Sequence, residues 1–451
     1  MRLSSLIIAL CAASLLACGG AATPAASTAD AAADVPVAAP VWTNAPAGAQ
    51  TIGQGQTRQF PLTLSAADVT ATVAQVDGVE AAVTADGQAL EVHAGYGAAT
   101  SASVQLHLAT PAGGSATVSV ALTVAPIAWK SALEWTTDGP EAREHGTLIL
   151  DETADRLLLI DGSGYNPYGT PLSDVWALDL ATGTWTQLQP TGDVPAAAAS
   201  RRVARIPGKP LAYFFGGYVA NGAGVKDLYR VDFSTPQPVF TKLKFTGGPT
   251  ARSLHAFAYD AVTDRFFCFG GVDSAPRNDL WTMTLAGDTP TWTKLTTINK
   301  PSPRYGFFTG VDTVGGRLIV YSGAQGTATI NAAQDTWVLD MRADAPDWLL
   351  VAQGDADNVP PGRRNGCAVW DPSGPRLLVF GGTADAKTSQ PGLFAFDARP
   401  GHAAWTQLTL DNEPAVRSSG IGIYDPKRGQ NLLGFGNTAT GTFQDFQTLG
   451  Y

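Results

Sequence analysis

Cysteine and charge are both scarce in this sequence. Four cysteines occur among 451 residues, and Cys11 and Cys18 lie in the N-terminal leader, which leaves Cys268 and Cys367. So few cysteines exclude a small scaffold held together by disulfides. Charged residues make up only 15% of the chain and the net charge is −10, so a polyanionic partner is disfavoured and no nucleic-acid partner is predicted.

Turn residues and apolar residues are abundant instead. The chain has 49 Gly and 30 Pro, which predict many turns, and 45% hydrophobic residues, which suffice for a buried core. This length exceeds a single compact core, so it predicts two or more domains or a repeat architecture that copies one unit. We therefore expect an all-β fold.

The first 17 residues have the pattern of a secretion signal, with Arg2, a short apolar core and small residues at the end. The segment is too short to count as a membrane span. Leu15–Cys18 resembles the bacterial lipobox, in which the cysteine is lipidated and becomes the mature N-terminus; an ordinary signal peptide is the alternative. The residue after Cys18 is Gly19 rather than an aspartate, and in this the sequence resembles lipoproteins that are sorted to the outer membrane. We expect a lipid-anchored protein of that membrane, facing the periplasm or the cell surface.

The next two segments differ in composition. Residues 18–48 are mostly Ala, Pro and Thr and predict an extended tether. Residues 49–125 contain short segments of alternating apolar and polar residues, such as Phe60–Leu64 and Ala116–Val124, separated by turn signals. This pattern predicts a small β-sandwich that resembles an immunoglobulin-like module, with the role of a spacer.

Five stretches of the remaining chain repeat one spacing, in which an aspartate follows an arginine by eight residues and a glycine follows it by nineteen. The arginines are Arg143, Arg252, Arg304, Arg363 and Arg417; the aspartates are Asp151, Asp260, Asp312, Asp371 and Asp425; the glycines are Gly162, Gly271, Gly323, Gly382 and Gly436. A sixth copy begins at Arg201 and reaches Gly217 sooner, because its first turn is shorter. We therefore expect six copies of one unit.

Two aromatic positions follow in each copy and are expected to bury between neighbouring units. The first set is Trp176, Tyr229, Trp281, Trp337, Phe394 and Phe446, and the second set is Trp185, Phe240, Trp292, Trp348 and Trp405. The last copy ends at Tyr451 before its second aromatic, whereas Trp135 precedes the first copy. The segment Ile127–Trp135 is therefore expected to supply the outer strand of the last unit and to close a ring without free edges.

Units of about fifty residues with four apolar strands, a glycine pair and two aromatics resemble the kelch repeat. Phe214–Gly217, Cys268–Gly271 and Val379–Gly382 match the kelch signature closely, while the stretches that start at Ile160, Tyr321 and Gly434 depart from it. The resemblance covers residues 127–451 and implies a six-bladed kelch β-propeller.

The leading arginine and the loop after the glycine pair are expected on one face of the ring. That face would hold Tyr165, Asn166 and Tyr168 of the first copy beside Tyr218 and Asn221 of the second. Exposed tyrosines with nearby amides suit a sugar or peptide ligand. The alternative is that these are loop residues without a ligand.

The six leading arginines are the other candidates for ligand binding: Arg143, Arg201, Arg252, Arg304, Arg363 and Arg417. Six guanidinium groups around one channel would favour an anion. The kelch resemblance implies the opposite role, in which this arginine bonds strand ends and turn carbonyls and supports the fold.

Catalysis in the channel is a further hypothesis. The galactose oxidase type of kelch enzyme needs a copper site with two histidines, but His255 is at the ordinary kelch packing position and His402 is expected on the opposite face. No metal and no other cofactor is therefore predicted. The resemblance also extends to the sialic acid mutarotase family, for which Glu144 and His145 are the acid/base candidates, although at most one of two adjacent strand residues can face the channel.

The residues together predict a monomeric, lipid-anchored envelope protein whose propeller binds a protein or glycan ligand through its loop face. No catalytic residue is assigned. A carbohydrate-active, mutarotase-like enzyme that uses the channel is the alternative, and a purely structural envelope scaffold is a third hypothesis. Cys268 and Cys367 fall in non-neighbouring units and are expected to be buried free thiols.

Overall fold

The structure, a computed structural model, describes residues 37–130, 132–134, 138–164, 169–327, 331–385 and 388–451. The predicted signal peptide and Cys18 lie outside these residues. The described chain is built from β-strands, and its one helix is the 3₁₀ turn Asp355–Asp357. Within these residues, no helix has the length and apolar character needed to cross a membrane.

The N-terminal strands form two facing sheets. One sheet contains, in spatial order, Gln50–Gly53, Ser115–Ala125, Ser101–Ala109 and Thr70–Val73, and the other contains Thr57–Pro61, Ala89–Ala94 and Val79–Val83. The alternating sequence places Val92, Val104 and Leu106 in the core between them. Trp42, which lies in the predicted tether, is buried in the same core and donates from Nε1 to Pro61 O at 3.1 Å. The packed domain therefore begins before residue 49.

Six antiparallel sheets follow, and we number them in chain order. Sheet 1 contains Thr147–Asp151, Arg156–Ile160, Val175–Asp179 and Thr184–Leu188. Sheet 2 contains Arg202–Arg205, Leu211–Phe215, Leu228–Asp232 and Val239–Leu243, with Thr191–Gly192 added parallel to its outer strand. Sheet 3 contains Ala256–Asp260, Arg265–Phe269, Leu280–Ala286 and Thr289–Leu295.

The last three sheets have the same strand order. Sheet 4 contains Phe308–Asp312, Arg317–Tyr321, Asp335–Asp340 and Trp348–Gln353. Sheet 5 contains Cys367–Asp371, Arg376–Phe380, Leu393–Asp397 and Ala404–Leu408. Sheet 6 contains Ile421–Asp425, Gln430–Gly434 and Asp445–Gly450, which also pairs with Ala128–Trp129 and Leu133–Glu134. A further two-stranded pair joins Arg143–Glu144 to Ser163–Gly164.

The first strands of the six sheets form a closed ring. Each contacts the first strand of the next sheet, and that of sheet 6 contacts that of sheet 1. The segment before sheet 1 completes sheet 6 through the pairs Leu449–Trp129 and Phe446–Leu133. This antiparallel closure leaves the ring without a free edge, which is the architecture of a β-propeller.

The repeated aspartate stabilises the turn between the first and second strands. Asp151, Asp312 and Asp371 each accept a hydrogen bond from a backbone N–H two or three residues later, at 2.8 to 3.1 Å. Each of the same three carboxylates also forms an ion pair with the arginine that follows it by five residues in the chain. The aspartate therefore has a local turn-forming role at the end of the ring opposite the leading arginines.

The second-set aromatics join neighbouring sheets. Trp348 of sheet 4 lies 4.5 Å from Phe269 of sheet 3, and Trp405 of sheet 5 lies 4.5 Å from Tyr321 of sheet 4, measured between ring centroids. The ring centroids of Trp129 and Phe380 of sheet 5 are 5.3 Å apart, so Trp129 also joins two neighbouring sheets. Trp129 thus takes the second aromatic position of sheet 6, where the sequence suggested Trp135, a residue outside the described ones.

The first-set position in sheet 6 also differs from the prediction. Leu433 of the second strand pairs with Gln447, as Leu159 of sheet 1 pairs with Trp176. Gln447 therefore occupies this position and Phe446 is one residue earlier. The spacing in the sequence predicts Phe446 for this position, whereas strand register decides the equivalence.

The sandwich packs directly against the propeller, at the turns of sheets 5 and 6. The buried guanidinium of Arg376 donates to Gln54 O at 3.0 Å and to the Tyr96 hydroxyl at 2.7 Å. Arg399 pairs with Glu80 at 2.8 Å. The C-terminal Tyr451 donates to Gln54 O at 2.9 Å. These contacts lie at the end of the ring that carries the first turns, so the sandwich leaves the leading-arginine end uncovered.

Candidate functional site: the channel and its mouth

A ring of six residues, joined by five backbone hydrogen bonds, surrounds the channel where the six first strands begin. Its members have left-handed φ angles between 53° and 63°: His145, Ser200, Leu254, Gly306, Asn365 and Ser419. Their amides donate around the ring, from Ser200 to His145 and from His145 to Ser419 at 3.0 Å each, from Ser419 to Asn365, from Asn365 to Gly306 at 2.7 Å and from Gly306 to Leu254 at 3.0 Å. We call this ring the collar. Left-handed backbone costs about 1–2 kcal/mol for a non-glycine residue, which these bonds help to offset.

Four leading arginines make the same pair of contacts just outside the collar. Their guanidinium groups are buried and bind an aspartate carboxylate through two nitrogens, at 2.5 to 3.2 Å: Arg143 with Asp174, Arg252 with Asp279, Arg304 with Asp335 and Arg417 with Asp445. Each also donates to the carbonyl oxygen eighteen residues later, which belongs to the turn after the second strand. The bidentate geometry makes these pairs strong and directional.

Arg363 supports the fold in a different way. Its guanidinium stacks over the Phe394 ring at 4.8 Å and donates to the carbonyl oxygens of Gly381 and Pro391 at 3.2 Å each. Sheet 5 has Gly392 where sheet 3 has Asp279, two residues before the first aromatic. A cation over an aromatic ring and two carbonyls therefore replace the carboxylate.

Arg201 is not the leading arginine of its copy. The leading arginine of each other sheet is two residues before the collar member, and in sheet 2 that position is Ala198. Arg201 follows the collar residue Ser200, where sheet 3 has His255. Its guanidinium pairs with Asp161 of sheet 1 at 2.5 Å and donates to Ala196 O at 2.9 Å.

The structure thus gives scaffold contacts to all six arginines proposed for ligand binding: Arg143, Arg201, Arg252, Arg304, Arg363 and Arg417. All are at least 96% buried, and carboxylates, carbonyls or an aromatic ring occupy their guanidinium groups. A ligand would have to displace partners already in place. We therefore assign these side chains to the support of the collar and turns.

Inside the collar the first strands enclose a cavity of about 320 Å³. Its polar lining includes His145, Arg202, Thr309 and Asn365, while Trp370 and Tyr424 contribute aromatic surface further along the channel. Among the described residues, no aspartate or glutamate lines this cavity. The channel therefore presents positive and neutral groups within a protein of net negative charge.

Arg202 differs from the other arginines around the channel. Its Nε donates to His255 O at 3.0 Å, and none of the described residues forms an ion pair with it. Burial lowers the pKa of its guanidinium to about 10, which keeps the group charged at neutral pH. The sequence signal for this residue is the double arginine Arg201-Arg202, of which the repeat spacing draws attention to Arg201.

Glu144 and Tyr218 lie at the mouth of the channel, outside the collar. The Glu144 carboxylate accepts hydrogen bonds from Ser163 Oγ at 3.4 Å and from Asn437 Nδ2. The Tyr218 ring stands edge-on to His145 at 6.4 Å. Burial lowers the pKa of His145. The negative charge of Glu144 acts in the opposite direction, while the positive charges of Arg202 and Arg364 lower the pKa of His145 further. The imidazole is therefore neutral near pH 7.

The loop candidates have different outcomes. Tyr165, Asn166 and Tyr168 lie outside the described residues, so their approach to Tyr218 stays a prediction. Tyr218 is half-buried beside the mouth. Asn221 is exposed, and its Oδ1 accepts from the Ala223 amide at 3.0 Å within its own turn. Of this set, Tyr218 is the member that the structure places against the channel.

The remaining candidates for chemistry are separated in the structure. His255 is buried edge-on to Phe215 at 5.4 Å, and His402 lies 3.5 Å from Glu80 of the sandwich, at the opposite end of the ring. Cys268 and Cys367 are buried in sheets 3 and 5, and burial raises the pKa of each thiol to about 12. In the part of the chain that the structure describes, no three His, Cys, Asp or Glu side chains are grouped to hold a metal ion.

Comparison with known proteins places these features in a family. The KLHDC2/KLHL20/DRC7 Kelch-repeats domain family matches residues 62–271 and 204–353. Adagio-like protein 3 from Oryza sativa subsp. japonica is 24% identical over 265 residues, which span 58% of this chain and 41% of that protein. The host cell factor homolog hcf-1 from Caenorhabditis elegans is 25% identical over 253 residues, which span 49% of this chain and 31% of that protein.

These relatives are longer proteins, and the matched region spans less than half the length of each. Among solved structures, that of YjhT has a TM-score of 0.52 at 14% identity, and the match covers 70% of this chain and 99% of that chain. At this identity the similarity shows the fold alone. The shared element is therefore the kelch-type β-propeller.

Proposed function

Because the chain belongs to the kelch-repeat family, we propose that it is a binding protein of the cell envelope. Its six-bladed propeller recognises a protein or glycan ligand through the face that carries the channel mouth. Kelch repeats in general suggest a protein-interaction propeller, and the described geometry supports the mouth as the recognition surface. The proposal rests above all on one asymmetry, in which the sandwich packs against the end of the ring opposite the mouth, at the turns of sheets 5 and 6.

The mouth has the chemistry that a polar ligand requires. Tyr218 supplies an aromatic ring and a hydroxyl, Glu144 supplies acceptors, and Asn221 belongs to an exposed loop of the same face. Tyrosines with nearby amides bind sugars and peptides because the ring covers an apolar face while polar groups bond its rim. The predicted loop residues Tyr165, Asn166 and Tyr168 would extend this surface.

The attachment to the envelope is proposed from the leader. Lipidation of Cys18 would hold the protein on the outer membrane, and the remaining Ala- and Pro-rich residues would separate the sandwich from the bilayer. Globomycin, which blocks lipoprotein signal peptidase, is expected to cause accumulation of the unprocessed chain. Normal processing and membrane retention of a Cys18→Ser variant would contradict the anchor.

A binding assay tests the recognition face. The chain without its leader, residues 19–451, would be screened on a glycan array and used to capture partners from envelope extracts. We expect Tyr218→Ala to weaken the binding of any ligand so found at least about tenfold, because the tyrosine ring and hydroxyl are both lost. Val262→Ser is the control, since Val262 is 71% exposed in a turn at the opposite end. Equal losses in both variants, or no loss with Tyr218→Ala, would contradict the mouth as the binding surface.

A carbohydrate-active enzyme is the second candidate, and the position of His145 in the cavity lining favours it. Glu144 is absent from that lining and is held by Ser163 and Asn437 at the mouth, so the two groups face different surroundings. Proton transfer would require both at one substrate. Sugar mutarotation followed by NMR, and abolished by Glu144→Gln and by His145→Gln separately, would favour this enzyme over the binding protein.

A further inference from the structure

We propose that the channel binds a small organic carboxylate whose anionic group pairs with Arg202. This inference rests on the proposed function, and it names the ligand chemistry inside the same mouth. The cavity is lined by the Arg202 side chain, and only its Nε has a partner among the described residues, the His255 carbonyl at 3.0 Å. Its two Nη atoms are the free donors, in the planar arrangement that matches a carboxylate.

Partly exposed Arg202 has no counter-charge among the described residues, whereas five of the six buried arginines around the channel have one and the sixth, Arg363, has carbonyl oxygens and the Phe394 ring instead. Arg143, Arg252, Arg304 and Arg417 each have an aspartate, and Arg201 has Asp161. A guanidinium that faces a cavity with no protein partner at its terminal nitrogens can bind an anion without displacing another group. For Arg202 the described residues provide no counter-ion, and an anionic ligand would supply it.

The surroundings of Arg202 are also selective for an anion. No acidic side chain lines the cavity in the described part of the chain, and nearby Arg364 forms no ion pair there. Arg364 instead donates to the Tyr305 hydroxyl at 3.3 Å and stacks over its ring at 5.4 Å. Positive potential from both arginines reaches the channel, because both lower the pKa of His145. A neutral molecule would gain nothing from this potential.

The rest of the lining suggests what the carboxylate is attached to. The Asn365 Oδ1 is buried without a partner, so it is available to a ligand hydroxyl. Trp370 and Tyr424 offer ring surface in the same cavity. A volume of about 320 Å³ lies at the lower end of the range for small-molecule pockets. These features fit a small hydroxylated carboxylic acid, of a size that the cavity can enclose completely.

The test uses trifluoroacetate, the smallest convenient carboxylate probe, with trifluoroethanol as its neutral counterpart. Fluorine NMR relaxation of each probe would be measured against residues 19–451. We expect saturable binding of trifluoroacetate alone, weakened about tenfold or more by Arg202→Met and partly kept by Arg202→Lys, which retains the charge. The matched control is Arg205→Met on the same strand, because Arg205 already has Glu152 at 2.6 Å.

Thermal unfolding separates this role from a structural one. If Arg202 serves to bind a carboxylate, Arg202→Met is expected to unfold at the same temperature as wild type or at a higher one when no carboxylate is present. Added carboxylate should then raise the unfolding temperature of wild type but not that of Arg202→Met. A lower unfolding temperature with unchanged trifluoroacetate binding would make Arg202 a scaffold residue and overturn the inference. Absence of carboxylate binding to wild type would overturn it as well.

Competition identifies the source of the carboxylate. Displacement of trifluoroacetate by D-glucuronate but not by D-glucose would support a sugar-sized acid, whereas displacement by an N-acetylglutamate amide alone would indicate an acidic side chain of a polypeptide and contradict the small ligand. The two proposals fail separately. Loss of macromolecular binding with carboxylate binding intact would count against the proposed function, and the reverse result would count against this inference alone.

Discussion

Arg376 of the propeller donates a hydrogen bond to the backbone oxygen of Gln54 in the sandwich, at 3.0 Å. The same guanidinium is 2% exposed and pairs with Asp371 at 2.7 Å. Gly374 lies in the turn between Asp371 and Arg376. It is so close to Gly55 of the sandwich that a Cβ added to Gly374 would lie 1.7 Å from the Gly55 carbonyl oxygen. The two domains are therefore in direct backbone contact, and one buried charge network holds both sides of the contact.

Arg376→Met is expected to lower the free energy of unfolding by about 3–5 kcal/mol, because Asp371 would be left buried without its cation. Chemical denaturation followed by tryptophan fluorescence measures the loss. Arg58→Met is the control, since exposed Arg58 donates to Thr51 O, lies over the Phe60 ring at 5.1 Å and leaves no buried charge behind, so it should change stability by less than about 1 kcal/mol. Equal effects would show that the interface contributes nothing specific.

Removal of a carboxylate from a leading-arginine pair is expected to be far more costly than removal of a surface one. Asp279→Ala leaves the buried Arg252 without its partner and should cost about 3–5 kcal/mol. Asp288→Ala breaks an exposed pair with Arg230 and should cost less than about 1 kcal/mol. The two variants would be compared by urea denaturation. A small effect of Asp279→Ala would contradict the scaffold role of these arginines.

The two aromatic sets are expected to differ in their contribution to stability. Trp348 is 2% exposed and packs against Phe269 of the preceding sheet, so Trp348→Ala should cost about 3–5 kcal/mol. Trp281 is half-buried and donates to Asp279 at 2.7 Å, so Trp281→Ala should cost clearly less. Differential scanning calorimetry of both variants checks the order. A reversed order would contradict the assignment of the second set to the contacts between sheets.

Acidification is expected to destabilise the propeller through His255. The ring is 1% exposed with neither nitrogen bonded, and burial holds its pKa well below the usual range. The folded state therefore binds fewer protons than the unfolded state below pH about 6.5, so this contribution to stability is complete above that pH and is lost as the pH falls. Each such group changes stability by up to about 1.4 kcal/mol per pH unit.

His255→Phe removes the titrating group and keeps an aromatic ring against Phe215. Sheet 4 already has Phe307 at the equivalent position, one residue after its collar member Gly306. We expect the variant to lose less stability than wild type between pH 7 and pH 5, measured by urea denaturation at each pH. His107→Phe is the control, because His107 is exposed. Parallel pH profiles for wild type and His255→Phe would contradict the prediction.

The sequence predicted what depends on local chemistry. An aspartate that bonds the amides of the next turn and a glycine with positive φ act within a few residues, so their spacing is visible as a repeat in the chain. The pairing of the N-terminal segment with the last strand was also predicted, because a ring of such units leaves one strand missing. The expected six blades and immunoglobulin-like module remain interpretations of these patterns, although the sheet order agrees with them.

What the sequence could not decide depends on register and on the destination of each side chain. Arg201 and Arg202 are neighbours in the chain and both line the cavity, yet Arg201 pairs with Asp161 whereas none of the described residues forms an ion pair with Arg202. For the leading arginines the sequence allows both an anion site and a scaffold role, and the aspartate partners that decide for the scaffold lie up to 31 residues away in the chain. Likewise Trp42 joined the sandwich core from a segment with the composition of a tether.

The chain by itself therefore determined the repeating unit, since a turn or a strand is specified by the few residues that form it. The tertiary structure alone decided which charges are neutralised. Neutralisation requires two groups from distant parts of the chain to meet in a site removed from water, where an unpaired charge is costly. By that criterion Arg143, Arg201, Arg252, Arg304 and Arg417 belong to the scaffold, and Arg363 joins them through carbonyl and aromatic contacts. Arg202 lines the channel, and none of the described residues forms an ion pair with it.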